Sequence, residues 1–251
     1  MDFTIKKPAH IFSLLILIFT LIIVVILPII SYFSVPISTE SIDTENISES
    51  YWVFVEIFVL ILQILIVAIG MFIVVPLLWY RVVNNYTFKE ILSRIKLRKE
   101  GMDMAILWGF LTVIVMFAFL FIIGIFLTFY GVTLDDSSNI TDLEQIFSLP
   151  SIFIVVALQP IGEEIFFRGF LLDKINAIYG RETALIATSI LFGIAHLTYG
   201  NIYPAIMTGV LGLLLAYMVV KTKSLTTAIV AHILFNLLSV SLYIFGKSFI
   251  P

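Results

Sequence analysis

Residues 11–33 read IFSLLILIFTLIIVVILPIISYF, with no charged side chain to interrupt them. At about 1.5 Å per residue, a helix over this stretch is roughly 35 Å long, enough to cross a hydrocarbon core of about 30 Å. Comparable apolar runs recur at about 52–80, 104–130, 148–172, 183–199, 203–220 and 225–245, the fifth and sixth being short. The pattern predicts an all-α, polytopic membrane helical bundle of about seven transmembrane helices. Composition agrees: 61% of the 251 residues are hydrophobic and only 12% charged, against about 25% charged in soluble domains. Lys6 and Lys7 ahead of the first run resemble the start of a signal peptide. The run is long enough to span, however, and no small-residue cleavage site follows it, so it is read as a retained helix.

Between the runs, 37–50 (ISTESIDTENISES), 81–103 and 131–147 read as polar loops. Neither an internal repeat nor a long linker divides the chain. The expected organisation is three N-terminal transmembrane helices in 1–147 and a C-terminal helical core in 148–251, packed as one membrane domain. Lysine and arginine set the orientation, because basic flanks stay in the cytoplasm. With the N-terminus inside, 12 of the 14 basic residues fall on cytoplasmic segments: Lys6, Lys7, Arg81, Lys89, Arg94, Lys96, Arg98, Lys99, Lys174, Arg181, Lys221 and Lys223. Lys247 falls outside, and Arg168 lies within the fourth run. Asn46 and Asn139 head glycosylation tripeptides on the outer loops, a pattern common by chance. The basic residues form no single patch and the net charge is only −3, so nucleic acid is not an expected partner. The chain has no cysteine, which excludes disulfides, thiolate zinc sites and a cysteine nucleophile.

Ionisable residues inside a span are costly and mark function. The fourth run contains Glu163, Glu164 and Arg168. Glu164 and Arg168 stand at i,i+4 with the acid first, the favourable order for a pair on one helix face. Glu163 is turned by about 100° from Glu164, has Phe167 at i+4, and is expected to find its partner on another helix. The fifth run ends in Phe192-Gly-Ile-Ala-His196, and the seventh carries His232 and Asn236 at i,i+4. Counted from the cytoplasmic ends of their spans, Glu163, His196, His232 and Asn236 lie roughly 10–20 Å deep, so one cavity can gather all four. Gly162, Gly169, Gly193, Gly209 and Gly212 would let helices pack closely around it.

With no serine beside a buried base, water is the expected nucleophile for amide hydrolysis. Glu163 and His196 would orient and deprotonate it, while His232 and the Asn236 amide would donate to the oxyanion. Alternatively Glu163, His196 and His232 would hold zinc, whose bound water ionises near neutral pH. The soluble metalloprotease signature H-E-x-x-H is absent, and residue types alone do not decide between zinc and metal-free activation.

The ordered motifs Glu163-Glu164-x-x-x-Arg168, Phe192-x-x-x-His196 and His232-x-x-x-Asn236 resemble those of the CAAX-processing and bacteriocin-processing (CPBP, or Abi) membrane proteases, which include the type II CAAX prenyl endopeptidases. The resemblance covers roughly 148–245. It implies an intramembrane endopeptidase, glutamate-type or metal-dependent, with Glu163, His196, His232 and Asn236 catalytic and Glu164, Arg168 and Phe192 supporting. It further implies a site opening toward the cytoplasm, a peptide or lipidated (prenylated) protein substrate, and residence as a multi-pass protein in membrane lipid, in a prokaryotic plasma membrane. The alternative is a non-catalytic bacteriocin-immunity or peptide-binding membrane protein. An ion transporter is disfavoured, since inverted repeats and a polar path to the outer side are missing.

Overall fold

The computed structural model describes residues 3–34, 48–131, 143–144, 146–197 and 202–247, and among these the regular structure is entirely helical. The central segments expected as the loops 37–50 and 131–147, with Asn46 and Asn139, lie outside the described residues. Among the described residues six helices are long and apolar enough to cross a membrane: α1 (Pro8–Phe33), α2 (Glu49–Val82), α4 (Met102–Phe129), α5 (Leu149–Tyr179), α7 (Tyr203–Thr222) and α8 (Leu225–Lys247).

Two expectations change. The fifth apolar run forms α6 (Arg181–Ile194), of 14 residues. That is roughly 21 Å of helix, short of a bilayer core. It packs antiparallel along α7, with Ala184 clustered with Ala216 at one end and Gly193 against Gly209 at the other. The basic stretch 81–103 also holds a short helix, α3 (Phe88–Arg94), started by a capping box in which Thr87 and Glu90 bond each other's backbone N–H. That device satisfies two donors a helix start leaves open.

α5 is the hub. It buries 56% of its most apolar window, against 17% for each of α1, α2 and α4, whose outward faces show residues such as Phe12, Phe58, Ile114 and Phe121. Such faces suit hydrocarbon, where every backbone polar group must be bonded within the helix. α5 packs on the middle of α2 and on α8, and α8 packs on α4. Phe72, Phe166, Phe167, Phe170 and Phe192 fill the centre.

The basic residues collect at one end of the bundle. Arg94 pairs with Asp173 at 2.9 Å, and Lys174 donates to the Asn84 side chain at 2.9 Å. The Leu225 N–H donates to the Lys96 carbonyl, bringing the turn with Lys221 and Lys223 alongside. Phe3 stacks on Trp79 and so carries Lys6 and Lys7 to the same end. At the other end Glu144 takes Lys247 and the Tyr243 hydroxyl, at 2.9 and 3.1 Å. The Lys247 ammonium holds the Glu144 carboxyl below its ordinary range.

Glycine sets the close approaches around α5. A Cβ on Gly162 would stand 2.5 Å from the Ala68 carbonyl oxygen and 3.0 Å from Phe72 Cβ. Backbone cannot step aside as a flexible side chain can. Gly162→Ala is expected to destabilise the protein by about 1–3 kcal/mol, read as a lower melting temperature in detergent. Gly124→Ala, with nothing within 4 Å, is the control that leaves it unchanged.

Candidate active site

Pro160, with no N–H to give, sits inside α5, and from Ile165 to Leu171 the helix widens into π-type turns. Such insertions recur at functional sites because they re-aim the side chains around them. Glu163, Glu164 and Arg168 straddle this change and are all buried.

Glu164 and Arg168 form the i,i+4 pair, with Arg168 Nη1 donating to Glu164 Oε1 at 2.7 Å and neither side chain exposed. The other Arg168 branch, Nη2, donates to the Gly212 carbonyl on α7 at 3.2 Å, and the guanidinium carbon lies 4.0 Å from the Phe192 ring centroid on α6. A Cβ at Gly212 would fall 2.8 Å from both Arg168 Nη2 and Phe192 Cδ1, so glycine there is what admits the arginine. One buried cation thus joins three helices.

The pair does not merely neutralise itself. His232 on α8 directs Nδ1 at Glu164 Oε1, 2.9 Å away. A carboxylate only accepts, so the proton is on Nδ1 and Nε2 is left for chemistry. That Nε2 points at Glu163 Oε2, 3.8 Å off. The separation is too long for a direct hydrogen bond and is of the kind a bridging oxygen spans. Glu163 is in turn held from behind. Gln159 Nε2 donates to its Oε1 at 2.7 Å, and Gln63 Nε2 on α2 donates to Gln159 Oε1 at 2.7 Å. Glu163 thus faces a group on another helix, His232 on α8, as expected, and takes in addition a hydrogen bond from Gln159, one turn earlier on α5, because i−4 is the neighbour an α-helix presents.

His196 lies in the turn just past α6, its ring 4.7 Å from that of Phe192 and its Nδ1 2.8 Å from the Phe192 carbonyl. A carbonyl also only accepts, so His196 too has Nε2 to offer. The Phe192 ring stands beside both histidines, 4.7 Å from His196 and 5.6 Å from His232. The structure therefore gathers Glu163, Glu164, Arg168, Phe192, His196 and His232. Asn236, one turn along α8 from His232, is partly buried and bonds to none of them among the described residues. His10 stands apart on α1, its Nδ1 accepting from the Thr4 N–H at 3.2 Å.

Among the described residues no three His, Asp or Glu side chains are grouped as metal ligands would be. Glu164 is committed to Arg168 and His232, while His196 and His232 each bond through Nδ1 and keep Nε2, the nitrogen a metal would take in such a ring. Glu163, His196 and His232 are the side chains a metal would draw on, and no step below is routed through one. Gln63 and Gln159 are the residues that sequence reasoning passed over. Their only signal was an amide inside an apolar run, at i−4 from Glu163 in the case of Gln159.

Residues 145–238 match the family model described as type II CAAX prenyl endopeptidase, Rce1-like. No curated protein matches the chain, and no solved structure matches it.

Proposed function

We propose that the chain, whose residues 145–238 match the type II CAAX prenyl endopeptidase family model, hydrolyses a peptide bond inside the membrane with water activated by Glu163 and His196. The observation that carries the reading is the facing of Glu163 Oε2 and His232 Nε2 across 3.8 Å, each group held on its far side by a separate hydrogen bond. Glu163 takes a proton from the water as its oxygen attacks the carbonyl carbon. His196 Nε2 accepts the water's second hydrogen bond and orients it. The oxyanion is met by His232 Nε2–H and the Asn236 amide. For His232 to donate there while Nδ1–H stays on Glu164, the ring must be an imidazolium, with a carboxylate on either side. As the C–N bond breaks, Glu163 passes its proton to the leaving amine.

The basic end of the bundle is the cytoplasmic one in this reading. The proposed substrate carries a prenyl group near its C-terminus. A groove of about 430 Å³ supports this: it runs between α4, α6 and α7, is lined by apolar residues including Val115, Phe119, Leu211 and Tyr217, and passes Leu211 next to Gly212, where Arg168 is bound. Purified protein in liposomes is expected to cleave a farnesylated C-terminal peptide at least tenfold faster than its unprenylated twin, by mass spectrometry of the products. Equal rates would leave the peptidase and remove the prenyl preference. Stoichiometric zinc lost in step with activity on chelation would replace the metal-free version.

A further inference from the structure

The family match begins at residue 145, yet one hydrogen-bonded chain enters the site from well before it. Gln63 on α2 donates to Gln159, and Gln159 donates to Glu163, each over 2.7 Å. We infer that Gln159 and Gln63 are positioning residues for Glu163, and that α2 is through them a working part of the active site. This inference rests on Glu163 acting as the base.

The polarity of the chain follows from its end. An ionised carboxylate offers only acceptors, so Gln159 must turn its NH₂ toward Glu163 and its carbonyl oxygen away. That oxygen then needs a donor, and Gln63 supplies it. With Oε1 fixed by Gln159, the second oxygen, Oε2, is the one aimed at His232 Nε2. Without the pair, the carboxyl is free to rotate about its last bond and to present either oxygen in any direction. Near-attack geometry is lost with small displacements of this kind.

The contact is built into the fold. Gln63 opens the π-type segment Gln63–Val74 of α2, and Gly162, next to Glu163, permits the approach of Ala68 described above. The competing account is that two glutamines simply satisfy one another between membrane helices, as polar side chains there often do. It explains the Gln63–Gln159 bond. It gives no reason for the second amide group to end on the carboxylate that faces His232 Nε2.

The test is a double-mutant cycle on purified protein, with kcat, KM and melting temperature read for Gln159→Met, Gln63→Met and the double variant, and Glu163→Gln alongside. Methionine keeps length and bulk and removes the amide. Gln159→Met is expected to lower kcat by about ten- to a hundred-fold with KM unchanged, the loss of one hydrogen bond to a charged group. Gln63→Met is expected to lower it less, and to do nothing further in the Gln159→Met background, because it acts only through Gln159. Losses in kcat that multiply independently, a change confined to KM, or a fall in melting temperature at wild-type kcat would each overturn the inference. Should Gln159→Met fail to fold, wild-type kcat in Gln63→Met would do the same. If Glu163→Gln is inactive while Gln159→Met turns over normally, only this inference fails. If Glu163→Gln is itself active, the base assignment fails and takes the inference with it.

Discussion

Glu163→Gln is expected to lower kcat by about 10²–10⁴-fold, the usual contribution of a positioned general base, with the protein still folded in the membrane. Glutamine has the same size and still offers Gln159 a carbonyl oxygen in place of Oε1. What it cannot do is take a proton from water or return one to the leaving amine. Turnover of a peptide in liposomes, beside the melting temperature of each protein, separates loss of chemistry from loss of fold. A non-catalytic peptide-binding or immunity protein would instead keep its phenotype in Glu163→Gln, because the amide retains shape and hydrogen bonding.

Arg168→Met is expected to fail in the opposite sense, by loss of the fold. Both partners of the Glu164–Arg168 pair are fully enclosed. Removing one member of a buried pair destabilises by about 3–5 kcal/mol, since the other is left charged and unpaired. Glu164 would retain only His232, and its Oε2 already lacks a partner among the described residues. Gly212 and Phe192 would lose their shared contact, so α6 and α7 would loosen on α5 as well. Purified Arg168→Met should melt far below the wild type or fail to accumulate. The double variant Glu164→Gln/Arg168→Met should recover part of the loss, because it no longer strands a charge. Wild-type melting of the single variant would show that the pair contributes little to stability.

The elements legible in the sequence are those whose signal is local. Charges in the apolar run 148–172 stand out whatever surrounds them, and the order of Glu164 before Arg168 at i,i+4 predicts their contact from helix geometry alone. The small residues at 162, 193 and 212 likewise announce close packing. What stayed hidden depends on how helices are rotated against one another. His232 takes Glu164, and Glu163 takes Gln159, because α5 widens over Ile165–Leu171 and α8 meets it at one angle. No spacing within either helix carries that information. Gln63 and Gln159 were hidden for another reason: an amide in a membrane helix is unremarkable until its neighbour 96 positions away is known. The length of α6 was misread because its apolar composition continues to 199 while its helix stops at Ile194. α3 was readable from Thr87 and Glu90, but its strongly polar surroundings masked the cue.

The central claim is tested most directly by letting purified protein in liposomes cleave a farnesylated C-terminal peptide in water enriched in oxygen-18. Wild-type protein is predicted to give one cut, with a single heavy oxygen in the new carboxylate of the upstream fragment, and folded Glu163→Gln to give almost none of that product. Folded wild-type protein that yields no fragment, or a Glu163→Gln variant that yields it at the wild-type rate, would contradict the account.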